Sequence, residues 1–366
     1  MKVAIMGAGI SGLSCAITLE KNGIEPVIFE KRSRVGDRFI NAEAMFSILN
    51  RPAKDCLKLI DEDYGIHLKP IDEVNKLFIH SKTEVSSING NIGYTNIRGR
   101  HDDSYEHQLE KQIKSKINFN SKESYEDLCR TFDYVVLATG DGAYASSIGN
   151  YRSDLTCTIK GATVEGDFQK DSCHVWFNYE IIPKGYAWLI PFNEKEGNLV
   201  IAFPEYPTNI KLSIKDTWEK FYSLACRDLQ QNFKITDSFE VNNYIMGICN
   251  KPCIENTYFV GNCFGAISPG FGFGQFVSIL TGIYAAYDIC GLGDYEKLTK
   301  PLFDNYNSSL VLRKSLEKLD DDKLDNIIRS IDSKLLDKAI DKMFSNDKSM
   351  DLLGLLTPFM KINNKR

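Results

Sequence analysis

Lys2-Val-Ala-Ile-Met-Gly-Ala-Gly-Ile-Ser-Gly12 opens the chain, and its reading decides the fold. Val3 to Met6 is short and apolar, as a buried strand is. The turn Gly7-Ala-Gly9-Ile-Ser11-Gly12 follows, then a helical stretch from Leu13 to Lys21, then Gly23, a second apolar run from Pro26 to Phe29, and Glu30. Strand, glycine-rich turn, helix, strand and acid, in that order, make a βαβ unit suited to a dinucleotide. Gly7 permits the tight turn, Gly9 lets the backbone approach a pyrophosphate, and Gly12 lets the helix pack close on the strand. The free N–H groups at the helix start, that of Ser11 among them, then face the phosphates together with the positive end of the helix dipole. Glu30 follows Gly12 by eighteen positions, close to the spacing of about 20 for a ribose-binding carboxylate, with Lys31 beside it.

The bulk properties fit this unit into a larger whole. A chain of 366 residues has room for two or three domains and a large core. Lys+Arg 44 against Asp+Glu 49 leaves a net charge of −5, which argues against nucleic acid as a partner. No apolar run is long enough for a transmembrane helix. An opening strand at residue 3 leaves no space for a leader, and the ten scattered cysteines read as reduced core thiols, so a cytoplasmic protein is expected.

Further along, residues 33–50 read as a loop and short helix. Leu77 to His80 and Ile88 to Tyr94 read as strands, with Asn89-Gly90-Asn91 as a hairpin turn. Residues 103–117 have helical spacing. Phe132 to Ala138 is a buried strand that ends in the small-residue turn Thr139-Gly140. Four strand-like runs (156–168, 173–179, 186–192 and 198–203) then predict an antiparallel sheet. Residues 213–231 read as a helix. Tyr258 to Asn262 is another buried strand, Ala266 to Gly274 is glycine-rich, and Gln275 to Cys290 is a long apolar helix. From Tyr295 the pattern is helical and charged.

Three separated pieces agree on one cofactor: the opening fingerprint with Glu30, the strand into Thr139-Gly140, and Val260-Gly-Asn-Cys-Phe-Gly-Ala-Ile-Ser-Pro-Gly-Phe-Gly-Phe-Gly274. Together they resemble the FAD-dependent oxidoreductases of the glutathione-reductase and para-hydroxybenzoate-hydroxylase type. The resemblance implies that Gly261 and Asn262 lie against the ribityl chain and pyrophosphate of FAD. It places Pro269, Gly270, Gly272 and Gly274 beside the flavin ring, and Phe271 among them is expected in the substrate cavity. Asn262 stands where that family has Asp, so a hydrogen bond is kept and a charge is lost. The resemblance also implies phosphate contacts for Arg38, in Val35-Gly-Asp-Arg38, and for Arg100, with Arg98 competing for the second role.

Pro183-Lys-Gly-Tyr-Ala-Trp-Leu-Ile-Pro-Phe192 is similar to a segment of the geranylgeranyl reductases, and less closely to one of flavin-dependent halogenases. Tyr186 and Trp188 lie two apart and so share one face of a strand, able to wall an apolar cavity. Those reductases often carry a Cys soon after the ribose acid. Here Phe39 to Met45 has none, and Glu43 is the titratable side chain left there as a weak candidate for proton transfer. Cys249 and Cys253 read as thiols rather than as a redox pair. The five histidines, His174 included, have no metal-binding spacing, and no metal is expected.

The expected architecture is α/β. A Rossmann-type FAD-binding domain (1–150 and 245–292) receives an inserted antiparallel substrate domain (151–244), and a helical region (293–366) ends the chain. The expected function is FAD-dependent reduction of a carbon–carbon double bond in an apolar, isoprenoid-like small molecule. The alternatives are a flavin monooxygenase or halogenase, for which Lys184 is the nearest cavity lysine, and a flavin-binding electron carrier without turnover. NAD(P)H and a redox protein such as ferredoxin stay open as electron donors. Leu352 to Met360, with Lys361, Lys365 and Arg366 after it, offers peripheral contact with a membrane surface.

Overall fold

The computed structural model describes residues 1–47, 53 and 55–331. Along the chain, β1 (Val3–Met6), α1 (Ile10–Lys21) and β2 (Val27–Phe29) precede β3 (Asn41–Phe46), α2 (Cys56–Glu62), β4 (Asp72–His80) and β5 (Val85–Arg98). Then come α3 (Tyr105–Glu110), β6 (Ile117–Asn118), α4 (Tyr125–Thr131), β7 (Tyr134–Leu137), α5 (Ala143–Ser147) and β8 (Tyr151–Glu165). β9 (Ser172–Trp176), β10 (Tyr186–Pro191), β11 (Glu196–Pro204), α6 (Ile214–Asp228) and β12 (Lys234–Cys249) follow. The last elements described are β13 (Cys253–Ile254), β14 (Thr257–Phe259), α7 (Gln275–Ile289), α8 (Tyr295–Leu316) and α9 (Asp321–Arg329).

The opening motif builds the smaller sheet, in the order β13-β14-β7-β1-β2-β6. β1 lies parallel to both β2 and β7, as a Rossmann-type crossover requires. Gly7 has φ +117°, and a Cβ there would stand 2.2 Å from the Ala138 carbonyl oxygen. At Gly12 a Cβ would come within 2.1 Å of the Gly7 carbonyl oxygen, which is the close helix–strand packing its position predicts. Gly282 does the same between helices: a Cβ there would meet the Ser11 carbonyl oxygen at 2.1 Å, so α7 packs directly on α1. Leu13, Ile17, Ile279 and Ile283 fill that contact, and cutting Leu13 to Ala would cost about 2–5 kcal/mol.

The second sheet has the order β12-β8-β11-β10-β9-β4-β5-β3. The four runs expected to be antiparallel strands fall on β8 to β11. This sheet also takes in β3, β4 and β5, and β4 joins it parallel to β9. A division of the chain at residue 150 therefore separates the sheets only in part. Asn198, fully buried, staples the curled sheet: its Oδ1 accepts from Ala42 N (3.1 Å) and its Nδ2 donates to the Ala162 carbonyl (3.2 Å). α6 covers the outer face, with Trp218, Phe221 and Leu224 on Leu189, Leu199 and Ile201.

Two local readings are corrected. Residues 41–46 are the strand β3, not part of a loop and short helix, because Ala42, Ala44 and Phe46 alternate into an apolar cluster. The turn of the β4–β5 hairpin is Ser81 to Glu84, where Ser81 N donates to the Glu84 carbonyl (2.8 Å). Asn89-Gly90-Asn91 lies inside β5, near a register shift at Val74/Lys76, and Gly90 takes φ +128° there. The expected C-terminal helices appear as α8 and α9. The stretch from Leu352 to Arg366 lies outside the described residues. No described helix is long and apolar enough to cross a membrane.

Candidate functional site

A cavity of about 1070 Å³ is lined by residues of both sheets. A pocket for one small ligand spans roughly 300–1,000 Å³, so this one has room for a large ligand and part of a second. Both α1 and α7 begin on it. Each starts at a glycine, Gly9 or Gly274, with no side-chain cap and no acid in its first turn. Uncapped N–H groups and the positive dipole end are left for whatever enters. A Cβ on Gly9 would meet no protein atom within 4 Å. The space beside Gly9 therefore belongs to the cavity rather than to packing.

Glu30 borders the cavity with its carboxylate already oriented: Ala8 N donates to Oε2 (2.8 Å) and Arg32 N to Oε1 (2.9 Å). Two of its roughly four acceptor positions are filled, which leaves capacity for ribose hydroxyls. Arg38 also faces the cavity. Its Nη2 donates to Asn41 Oδ1 at 3.3 Å, and its guanidinium lies 4.5 Å over the Phe39 ring. Burial, and then the neighbouring Arg98, push it below the usual arginine range. A buried cation short of acceptors beside two open helix starts suits a phosphate anion.

Of the two competing arginines, Arg98 borders the cavity and Arg100 does not. Burial alone would lower the Arg98 pKa, but Glu106 and Glu43 outweigh that and hold it above the usual value. Its Nε donates to Glu106 Oε1 (2.9 Å) and its Nη1 to Glu43 Oε2 (3.2 Å). Arg100 lies on the surface, bonded to Asp237 Oδ2 (2.5 Å), and does not border the cavity. Both Glu43 oxygens are engaged, since Asn41 Nδ2 donates to the other at 3.0 Å.

The third glycine-rich loop closes the same space. Gly261, Asn262, Pro269, Phe271, Gly272 and Gly274 border it; Gly270 does not, and its N–H instead donates to Ser309 Oγ (2.9 Å). Asn262 Nδ2 donates to the Gly140 carbonyl (2.8 Å) and to Tyr244 Oη (2.9 Å), which leaves Oδ1 to accept from a hydroxyl. Gly272 has φ +75°, and a Cβ there would lie 2.6 Å from Tyr186 Oη. The loop and the Tyr186 ring thus face each other across the cavity wall.

Tyr186 and Trp188 share the inner face of β10, with ring centroids 5.6 Å apart. Trp188 is flanked in register by Val175 and Val200, which also border the cavity. Burial raises the Tyr186 phenol. His174 also borders the cavity, but it stands in register with Leu189, on the outer face under α6. There its ring stacks on Phe78 (4.6 Å) and shares a 3.0 Å hydrogen bond with His80. Burial pulls His174 down to about 3 and His80 to about 4.

Of the other candidate residues, Gly7, Ser11, Lys31, Thr139 and Gly140 border the cavity, and Gly12 supports it from behind. Lys184 does not border it: its Nζ donates to the Leu319 carbonyl (2.7 Å). Cys249 and Cys253 are free thiols. Among the described residues no cluster of three metal-ligating side chains occurs. Sequence reasoning missed Tyr244, Phe239 and Asn41 in the wall. The alternation in β3 and β12 was the signal available for them.

Comparison with known proteins agrees with this geometry. Residues 5–54 match the model of the NAD(P)-binding Rossmann-like domain. An uncharacterised protein of Methanocaldococcus jannaschii is 26% identical over 177 residues, covering 43% of this chain and 44% of that protein. The chain spans less than half the length of the curated relatives it matches. Over nearly its whole length it superposes on a geranylgeranyl bacteriochlorophyll reductase-like protein from Thermoplasma acidophilum (TM-score 0.71, 16% identity, 98% of each chain). It also superposes on a flavin-dependent brominase (TM-score 0.66, 14% identity, 100% of this chain and 99% of that one). The fold is the one shared by that reductase-like protein and that brominase.

Proposed function

We propose that the cavity holds FAD and that the protein is a flavin-dependent oxidoreductase that reduces a carbon–carbon double bond in an apolar, isoprenoid-like molecule. The observation that carries this reading is the convergence of two uncapped helix starts, Arg38 and an apolar sheet face on one cavity. FAD, when bound, supplies hydride chemistry. The N–H groups of α1 and the Arg38 guanidinium bind the pyrophosphate, and Glu30 binds a ribose. Asn262 accepts from the ribityl chain, while the Gly272–Gly274 backbone lies along the ring. Tyr186, Trp188 and Phe271 hold the substrate and exclude water. Glu43, bonded on both oxygens, suits positioning Arg98 better than carrying a proton. In this reading residues 1–150 and 245–292 hold most of the coenzyme, 151–244 with β4 and β5 form the substrate face, and the helices after 293 close the cavity.

The test is anaerobic reduction of the purified protein with dithionite, NAD(P)H or a reduced ferredoxin, followed by a panel of prenyl compounds. Reoxidation of the reduced flavin by an alkene, with a saturated product, supports the reading. A second reading, a monooxygenase or halogenase, draws on the likeness to the brominase fold. It requires rapid reoxidation by O₂ with product formation; a halogenase would also need a lysine in the cavity, which Lys184 does not border but Lys31, Lys318 and Lys323 do. Reduction without any product would favour an electron carrier.

A further inference from the structure

The cavity reaches beyond the nucleotide loops. Leu77 and Ile79 of β4 and Ile88 of β5 form one side of this part, and α9 forms another. Leu324, Ile327, Ile328 and Ile331 fall at helical spacing i, i+3, i+4 and i+7, and all four border the cavity. None of them belongs to the apolar cores of the two sheets. A helix of nine residues does not hold itself together in water, so its anchorage matters. Its polar side is tied to one hairpin. Asp325, buried, accepts from Thr83 N (3.1 Å), Thr83 Oγ1 (2.6 Å) and Ser81 Oγ. Arg329 Nε donates to Glu84 Oε1 (3.0 Å), and Ser86 Oγ donates to the Ile331 carbonyl (3.0 Å). The fold therefore clamps a short helix by its polar face, and its apolar face, with Leu324 and Ile328 themselves buried, borders the cavity rather than joining the apolar core of either sheet.

We propose that α9 is the end wall of a chamber for an apolar chain, and that Ile327 and Ile328 set the length of chain admitted. The proposal rests on the substrate reading above. It goes further by assigning specificity to two residues of a charged C-terminal helix. Leu77, Ile79 and Ile88 offer a chain no polar side chain, so added methylenes gain affinity until the chain meets α9. Each methylene buried strengthens binding about fourfold. Past the limit, the next one gains nothing.

The experiment is equilibrium binding of a homologous series of straight-chain primary alkanols to the full-length holoprotein. Trp188 fluorescence reports binding, because Trp188 alone of the three tryptophans borders the cavity. Affinity should climb about fourfold per carbon and then stop at a sharp limit. Ile328→Ala and Ile327→Ala should move the limit to longer chains, and Ile327→Phe to shorter ones. Ile327 is half-buried, so its variants stay folded if Ile328→Ala does not. An unchanged limit in the folded Ile327 variants, or no dependence on length, overturns the proposal. FAD content is measured in the same samples. Protein that lacks FAD but keeps the length limit would sink the functional reading and leave the chamber standing, and bound FAD without a limit would do the reverse.

Discussion

Two walls of the same cavity are built from different materials. At the starts of α1 and α7 the wall is backbone: Gly7, Gly9, Gly272 and Gly274, beside two helix starts without side-chain caps and with little side chain. At β9, β10 and β11 the wall is side chain: Val175, Tyr186, Trp188 and Val200 on a pleated face. A backbone wall recognises a fixed, charged group and tolerates no added atoms. A side-chain wall recognises shape and apolar area and can be retuned one residue at a time. The fold itself is kept at 16% and 14% identity in the reductase-like protein and the brominase.

Substitutions can break or sharpen that contrast. The largest expected effect is at the ion pairs that brace the backbone wall. Arg98→Ala leaves Glu106, 2% exposed, without its partner, and should cost about 3–5 kcal/mol in denaturant unfolding. Gly9→Val comes next and separates ligand from fold. The new side chain meets no protein atom, so the apoprotein should lose only about 2 °C in Tm. FAD affinity should fall about tenfold to hundredfold, the cost of an overpacked contact of about 1–3 kcal/mol. Retained FAD in that variant would mean that Gly9 does not touch the coenzyme.

On the sheet side the outer face supplies a pH test. His80 and His174 are held near 4 and 3 by burial, whereas the unfolded chain keeps them near the ordinary value of about 6.5. Between those values the unfolded chain binds protons that the native one refuses. Stability should therefore fall as pH drops from about 6.5 towards 4 and level off below the folded values. Replacing His80 with Gln and His174 with Leu should flatten that slope in Tm-against-pH measurements. The smallest effect is at Asn262. Asn262→Asp restores the acid usual in the resembled family but removes both Nδ2 donations, to Gly140 and Tyr244. At about 1 kcal/mol each, FAD affinity should weaken by up to about thirtyfold rather than improve.

The contrast also accounts for what could be read in the sequence. The backbone wall is written in glycines at fixed offsets, and Gly7 and Gly12 make the tight turn and the close helix–strand packing that their spacing implies. The side-chain wall is assembled from three separate stretches of chain, and its faces depend on register. Tyr186 and Trp188 were legible because they alternate within one strand. His174 was not, because its face is set by its pairing with Leu189. β3 was hidden because Ala42, Glu43 and Ala44 suit a helix, and only pairing with β5 makes them a strand. The choice between Arg98 and Arg100 turned on Glu106, eight positions on, folding back as a buried partner.

The central claim is that both walls face one coenzyme. The direct measurement is titration of the apoprotein with FAD, followed by Trp188 emission and checked against Trp188→Phe. The account predicts saturable, equimolar uptake with quenching that disappears in the variant. Failure to take up FAD, or uptake that leaves Trp188 emission unchanged, would contradict it.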